Sequence, residues 1–271
     1  MISIAQLHQD IAANLRPPAS GDLLQVYETL PSTNIIAKEL AAKGAPQGTA
    51  VLAWRQEAGQ GRFRKSFYSP PGGIYLSLVL QQAELALSSP ALLTITAAVA
   101  VSEAIAELCG KELAIKWVND LLYSGKKVCG ISCDTGSAPP AEGSLSWFVL
   151  GIGINFSLDE SQLPLELQGV VGSLYDPRTV CQVTRTRLVA EVINRTLSYC
   201  STQVATETLL SKYRQRLLTL GQEINVIQPT ESYPALAVDL GAQGELIVRL
   251  ANGELRSLNS GEVSTRIISG R

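Results

Sequence analysis

Residues 114–131, AIKWVNDLLYSGKKVCGI, decide how the middle of this chain folds. Ser124 and Gly125 make a turn signal short enough for a tight hairpin, so DLLY (120–123) and KKVCGI (126–131) are expected to pair as antiparallel strands, with LAIKW (113–117) just ahead of them. That hairpin would put Lys116, Asn119 and Asp120 near the end of one strand and Lys126 and Lys127 at the start of the next, facing back across it. Asn119 and Asp120 stand between the apolar Trp117 and Leu121, and polar groups buried there need partners.

Working outward, TAVLAW (49–54) and GIYLSLVL (73–80) have strand texture, and an apolar helix is expected from about Ala91 to Cys109, closed by Gly110. LPSTNIIAKELAAKG (30–44) is a helix whose start can be capped by Ser32, Thr33 or Asn34 and whose stop is Gly44; such a start also favours anions. Ile4, Leu7, Ile11 and Leu15 recur at helical spacing and predict one short packing helix. On the other side, GSAPPAEGS (136–144) is a loop, and LSWFVLGIGINF (145–156) is a buried strand with a glycine-rich exit. Gly151 and Gly153 would allow a ligand close to the backbone there, or form a β-bulge, and Asn155 adds a donor and an acceptor.

From Thr184 to Leu220 the pattern is helical, with Leu188, Val192, Leu197, Leu209, Tyr213 and Leu217 as core positions and a break near SYCST (198–202). After Gly221 come short strands at close intervals, with Asn252 and Gly253 as a hairpin turn, which predicts a small β-barrel. The domains are therefore 1–220 and 221–271, and strands interspersed with helices make the first α/β or α+β.

Composition limits the function. The chain of 271 residues is 46% hydrophobic and carries a formal net charge of −2, so no global positive field exists to hold a nucleic-acid backbone, and any basic site is local. Five widely spread cysteines read as buried free thiols in a reducing compartment, and the single histidine, His8, supports neither a histidine metal site nor a Ser/His relay. The opening residues lack a cationic leader, and the longest apolar run, around ALLTITAAVAV (91–101), is too short and too polar to span a bilayer. A cytoplasmic location is expected.

The local basic site is QEAGQGRFRKSFYSPPGG (56–73). Gly59 and Gly61 expose backbone N–H groups, and from Arg55 to Lys65 four cations face Glu57, a local charge of +3. Phe63, Phe67 and Tyr68 suit a loop that folds over a ligand. Neither GQGRFR nor GIGINF completes a dinucleotide fingerprint, and no Walker loop occurs.

Taken in order, STN (32–34), Q-x-A-G-x-G-R (56–62), SP-x-G-x-x-Y-L-S (69–77), KW-x-ND (116–120), GKK-x-x-GI (125–131) and GIGIN (151–155) resemble the biotin protein ligases. The similarity runs from about Tyr27 to the C-terminus. It implies an α+β catalytic domain, a mixed β-sheet with helices on one face related to class II aminoacyl-tRNA synthetases, plus a C-terminal SH3-like β-barrel. With about twenty residues ahead of that region, the chain resembles the type without an N-terminal DNA-binding domain.

The implied activity is ATP-dependent attachment of biotin to a lysine of a biotin carboxyl carrier protein through biotinyl-5′-AMP, with Mg²⁺ accompanying ATP. Such a protein would bind no DNA and no membrane and be a monomer or homodimer. The resemblance assigns Ser32, Thr33, Asn34, Gln56, Gln60, Gly61, Arg62, Lys127, Gly151 and Gly153 to biotin. It assigns Gly59, Gly61, Arg62, Lys65, Phe67, Lys116, Asn119, Asp120, Lys127 and Asn155 to ATP and the adenylate, with Arg62 and Lys127 catalytic. Lys127 matches the family lysine that contacts biotin's carboxylate and the phosphoryl group. The chain departs from the family pattern where Gln60 replaces an arginine, Arg64 a glycine, Lys65 an arginine, Phe67 a tryptophan and Val118 a proline. The alternatives are lipoate or octanoate transfer on the same fold, whose usual R-R-x-x-G-G-G segment is absent, and a biotin-binding protein without turnover.

Overall fold

A computed structural model describes residues 3–87, 89–137, 147–201, 204–228, 231–259 and 264–267. Seven strands form a mixed sheet: β1 (Leu24–Tyr27), β2 (Ala50–Ala53), β3 (Ile74–Gln81), β4 (Ala114–Lys116), β5 (Asp120–Tyr123), β6 (Lys126–Gly136) and β7 (Trp147–Ile154). Their order is β1-β2-β3-β7-β6-β5-β4, with β1 parallel to β2 and every other pair antiparallel. The expected hairpin joins β5 to β6, and both turn residues take positive φ, 50° at Ser124 and 79° at Gly125, the geometry of a type I′ turn. Most of the expected loop at 136–144 lies outside the described residues.

Strand periodicity sorts the two faces of this sheet. Leu52, Ile74, Leu76, Leu78, Leu80, Phe148, Leu150, Ile152 and Ile154 point into the main core, against α3 (Pro90–Cys109), α4 (Arg185–Ser201) and α5 (Thr206–Arg214). The alternate residues Val51, Val79, Trp147 and Val149 pack on α2 (Thr33–Ala42), so helices cover both faces rather than one. Glu103 ties the three core-side helices together, meeting Lys212 at 3.0 Å and Arg195 at 3.6 Å. The predicted core positions Leu188, Val192, Leu197, Leu209, Tyr213 and Leu217 are all buried. α1 (Ile4–Ala12) is the expected short N-terminal helix, and its His8 ring hydrogen-bonds the Leu24 carbonyl on the edge strand at 3.2 Å.

Three expectations need correction. The apolar run at 91–101 extends into a helix of 20 residues, long and apolar enough to cross a membrane; most of it is buried inside the protein, which makes α3 a core helix. Of the five free cysteines only Cys129 and Cys200 are fully buried. Burial still pushes the Cys200 thiol up to about 12. Finally, Ser32 takes the N-cap position of α2, but its side chain makes no cap bond, and the Thr33 N–H is taken by Gln56 from a distant loop.

The C-terminal residues form a second, antiparallel sheet ordered β11-β10-β9-β8-β12, compatible with an SH3-like barrel: β8 (Glu223–Ile227), β9 (Ser232–Leu240), β10 (Leu246–Arg249), β11 (Leu255–Leu258) and β12 (Ser264–Ile267). The β10–β11 turn uses Gly253 at φ 88°, as Asn252-Gly253 predicted. Its core is continuous with that of the large sheet, because Ile224, Val226, Ala237 and Val248 join the same cluster. Trp117 fastens the two together, its backbone N–H donating to Thr219 Oγ1 (3.0 Å) and its indole N–H to the Gly244 carbonyl (3.1 Å).

At the next residue after Trp117, the Val118 carbonyl accepts from the buried Tyr213 hydroxyl at 3.0 Å. Tyr213→Phe would leave that carbonyl unpaired, a cost of about 1–2 kcal/mol. The expected result is a melting midpoint lower by roughly 3–6 °C in calorimetry.

Candidate active site

The α2-side face of the sheet opens into a cavity of about 350 Å³. Register explains its floor: Gly151 on β7 and Ser132 on β6 lie opposite one another, in a row with the fully buried Ser77 of β3, and Tyr75, Gly153 and Gly130 form the next row. The glycines make room for side chains from elsewhere. A Cβ on Gly153 would meet the Phe67 ring at 2.5 Å, and one on Gly151 would meet Asn34 Oδ1 at 2.3 Å.

At one end of the cavity stand Ser32, Thr33 and Asn34 from the start of α2, with Gln56. Gln56 Oε1 accepts from the Thr33 N–H (2.8 Å) and hydroxyl (3.1 Å). Since a backbone N–H can only donate, the Gln56 amide is oriented unambiguously, with Nε2 toward Ser69 Oγ at 2.9 Å. Ser69 passes its hydrogen to the Phe67 carbonyl at 2.8 Å. Gln56 Nε2 therefore keeps one hydrogen beyond this bond, while Thr33 Oγ1 and Asn34 Oδ1, both reached by the buried Ser77 hydroxyl, keep acceptor capacity.

The other end is cationic. Arg62, Lys65, Lys116 and Lys127 line it with Asp120, whose carboxylate meets Lys127 Nζ at 2.7 Å. The Lys127 ammonium also lies 5.6 Å from the Phe67 ring centroid. Burial pulls the Arg62 guanidinium below its ordinary pKa, while Asp120 and Tyr213 act the other way. Arg62 stays charged at neutral pH.

The glycine loop is an ordered flap rather than a slack connection. Gln60 and Ser66 bridge, the Gly61 N–H donates to the Lys65 carbonyl (2.8 Å), and the Phe67 N–H donates to the Gly59 carbonyl (2.9 Å). Its tip, Arg62–Arg64, is one tight turn with Phe63 at φ 56°. Arg62 Nη1 reaches across the cavity to Asn119 Oδ1 at 3.0 Å, and Asn119 Nδ2 is anchored on the Ile131 carbonyl at 2.9 Å. The Arg64 side chain lies outside the described residues.

All but two of the expected site positions meet in this cavity. Gly59 stands outside its wall, packed where a Cβ would strike the Phe67 carbonyl and Ser69 Oγ at 2.5 Å. Asn155 also stands behind the wall, its Nδ2 donating to the Gly172 carbonyl at 3.0 Å and its backbone N–H to Val128 at 2.8 Å, so it braces the strand that carries Lys127. Sequence reasoning gave no role to Ser132 and Ile227 of the wall, nor to Tyr75 of the wall and Ser77 behind Thr33 and Asn34, which stand in the 69–77 motif without an assignment. Ser77 had a signal, a serine inside the apolar strand GIYLSLVL; Ile227, contributed by β8 of the second sheet, had none.

The stretch that carries this mixed sheet, flap and cavity is what the model of the Biotin/lipoate A/B protein ligase family matches, over residues 26–155. The model of the Biotin protein ligase C terminal domain matches residues 219–266. With the two in tandem, the chain belongs to the biotin protein ligases. It is 37% identical over 61% of its length to the Bifunctional ligase/repressor BirA of Bacillus subtilis, of which it covers 50%. It is 28% identical over 89% of its length to the Biotin--[acetyl-CoA-carboxylase] ligase of Mycobacterium tuberculosis, covering 88% of that protein. Among solved structures, it superposes on a biotin protein ligase mutant from Aquifex aeolicus in complex with biotin with a TM-score of 0.76 at 25% identity, covering 90% of this chain and 98% of that one. The chain thus spans about half the length of the Bacillus relatives it matches.

Proposed function

We propose that this chain joins biotin to a lysine of a carrier protein in two steps driven by ATP. The observation that carries this reading is the polarity of this cavity: hydrogen-bonding groups of both kinds at one end and four cations around one carboxylate at the other. A cyclic urea needs a donor for its oxygen and acceptors for its N–H groups, which Gln56 Nε2, Thr33 Oγ1 and Asn34 Oδ1 supply. Biotin's carboxylate then extends toward Lys127 and Arg62. The match of the C-terminal domain model favours biotin over lipoate or octanoate. The full set of cations favours turnover over sequestration.

In the first step a carboxylate oxygen attacks the α-phosphorus of ATP, the bond to the β-phosphate oxygen breaks, and pyrophosphate leaves. Negative charge crowds onto that phosphorus, and preplaced cations stabilise it without reorganising. Lys127 has three donors, enough to hold Asp120 and still meet an incoming oxygen. ATP enters as its magnesium complex, a substrate; among the described residues no three His, Cys, Asp or Glu side chains gather to hold a resident metal. In the second step the carrier lysine attacks the acyl carbon, the C–O bond to AMP breaks, and the amine sheds a proton. The flap pinned by Arg62 to Asn119 shields the anhydride from water meanwhile. The name of the Mycobacterium relative points to the biotin-carrying part of acetyl-CoA carboxylase as the acceptor, and both proteins would meet in the cytoplasm.

Incubation with biotin, Mg·ATP and labelled pyrophosphate tests the first step. Label is expected to enter ATP only when biotin is present. Lack of exchange at saturating substrates would overturn the enzymatic reading.

A further inference from the structure

Asp134 sits on β6, two residues beyond the cavity floor, and no family motif quoted above includes it. Its Oδ2 accepts from Asn34 Nδ2 at 3.1 Å and pairs with Lys38 Nζ at 3.4 Å. The other Nδ2 hydrogen of Asn34 goes to Ser132 Oγ at 3.1 Å, and Asn34 Oδ1 accepts from the Ser77 hydroxyl at 2.6 Å.

A side-chain amide presents two chemically opposite edges of nearly the same shape, and Ser77 and Ser132 are indifferent between them because a hydroxyl can donate or accept. A carboxylate can only accept. Turning the amide over would bring Asn34 Oδ1 against Asp134, placing lone pairs against a negative charge that also pairs with Lys38. Asp134 therefore breaks the symmetry. Both donors of Asn34 are consumed by protein groups, Ser132 and an Asp134 that lines an adjoining cavity, and what remains for a ligand is one lone pair on a residue 6% exposed.

We propose that Asp134 is a positioning residue which locks Asn34 as an acceptor and so makes the ring end of the cavity demand an N–H from its ligand. This rests on the biotin reading above and deepens it: the pocket would select a cyclic urea over an isosteric ring that offers oxygen in place of nitrogen. It would do so through a residue outside the main cavity, on the wall of the adjoining one.

The test uses the full chain, wild type and Asp134→Asn, with calorimetric binding of biotin and of the two cyclic carbamates in which one ureido N–H is replaced by O. Asn at 134 keeps the shape but can face Asn34 with either edge, so the lock is lost. In the wild type, the carbamate that sets its ring oxygen against Asn34 is expected to bind about 10²-fold more weakly than biotin, because it leaves one lone pair facing another. In Asp134→Asn, biotin is expected to weaken about tenfold and that discrimination to shrink about tenfold. A purely structural role would weaken all three ligands together. Discrimination ratios unchanged for both carbamates would overturn the proposal.

A second measurement needs no ligand. In ¹⁵N-labelled wild type the two Nδ2 hydrogens of Asn34 are expected to exchange slowly with solvent, and about tenfold faster in the variant. Fast exchange in the wild type would also overturn the proposal. If the wild type bound no biotin, the functional reading would fall by itself, and this exchange would still decide the role of Asp134.

Discussion

Replacing Lys127 with alanine is expected to lower kcat/KM for biotin-dependent pyrophosphate exchange by about 10²–10³-fold, the size of losing one preplaced donor to a developing negative charge. Two effects act together. The cation that would meet the carboxylate and the α-phosphate disappears, and Asp120, now held 2.7 Å from Lys127 Nζ, is left as unbalanced negative charge in the wall a polyanion must approach. The second effect separates from the first in the double variant with Asp120→Asn, which should recover part of the loss by removing the repulsion. Biotin itself is expected to bind Lys127→Ala with a much smaller penalty, since its ring end is held elsewhere. A Lys127→Ala exchange rate within a fewfold of wild type would remove Lys127 from the reacting atoms.

Gly151→Ala should act on the opposite end. A Cβ there lies 2.3 Å from Asn34 Oδ1, which accepts from the Ser77 hydroxyl, and 2.7 Å from Ser132 Oγ, which accepts from Asn34 Nδ2, and both residues are buried. Neither can yield without breaking the network that orients Asn34. Overpacking of this kind costs about 1–3 kcal/mol of stability. The biotin dissociation constant is expected to rise about 10²-fold, the equivalent of two neutral hydrogen bonds. Gly44→Ala is the matched control, with φ 82° but nothing within 4 Å of its Cβ. It should lose about 1 kcal/mol through backbone strain and bind biotin normally.

These two glycines also show how far the sequence carried. Gly151 was legible as a place of close approach, yet what approaches it is Asn34, separated by 117 residues along the chain and joined to it only by the register of β3, β7 and β6. Helix and strand positions followed from local chemistry: the Ser124-Gly125 turn, the Gly110 stop and the buried stripe of α4 all lie within a few residues of the feature they specify. Positions such as Ser132, Asp134 and Ile227 acquire meaning only through strand pairing and through the docking of the second sheet, which no local period encodes. The same reason accounts for Asn155, where a polar residue after a glycine-rich strand was expected to face the ligand and instead supports the backbone beneath Lys127.

Retention of the fold-and-cation scheme despite Gln60, Lys65 and Phe67 also has a physical basis. Phe67 still covers Gly153 and Gly130 and lies beside Lys127, and Arg62 still closes the flap onto Asn119. The most direct test of the whole account is the intact mass of a biotin carboxyl carrier domain incubated with this chain, biotin and Mg·ATP. The account predicts a gain of one biotinyl group on a single lysine, dependent on ATP and slowed about 10²–10³-fold by Lys127→Ala. A carrier of unchanged mass at saturating substrates would contradict it.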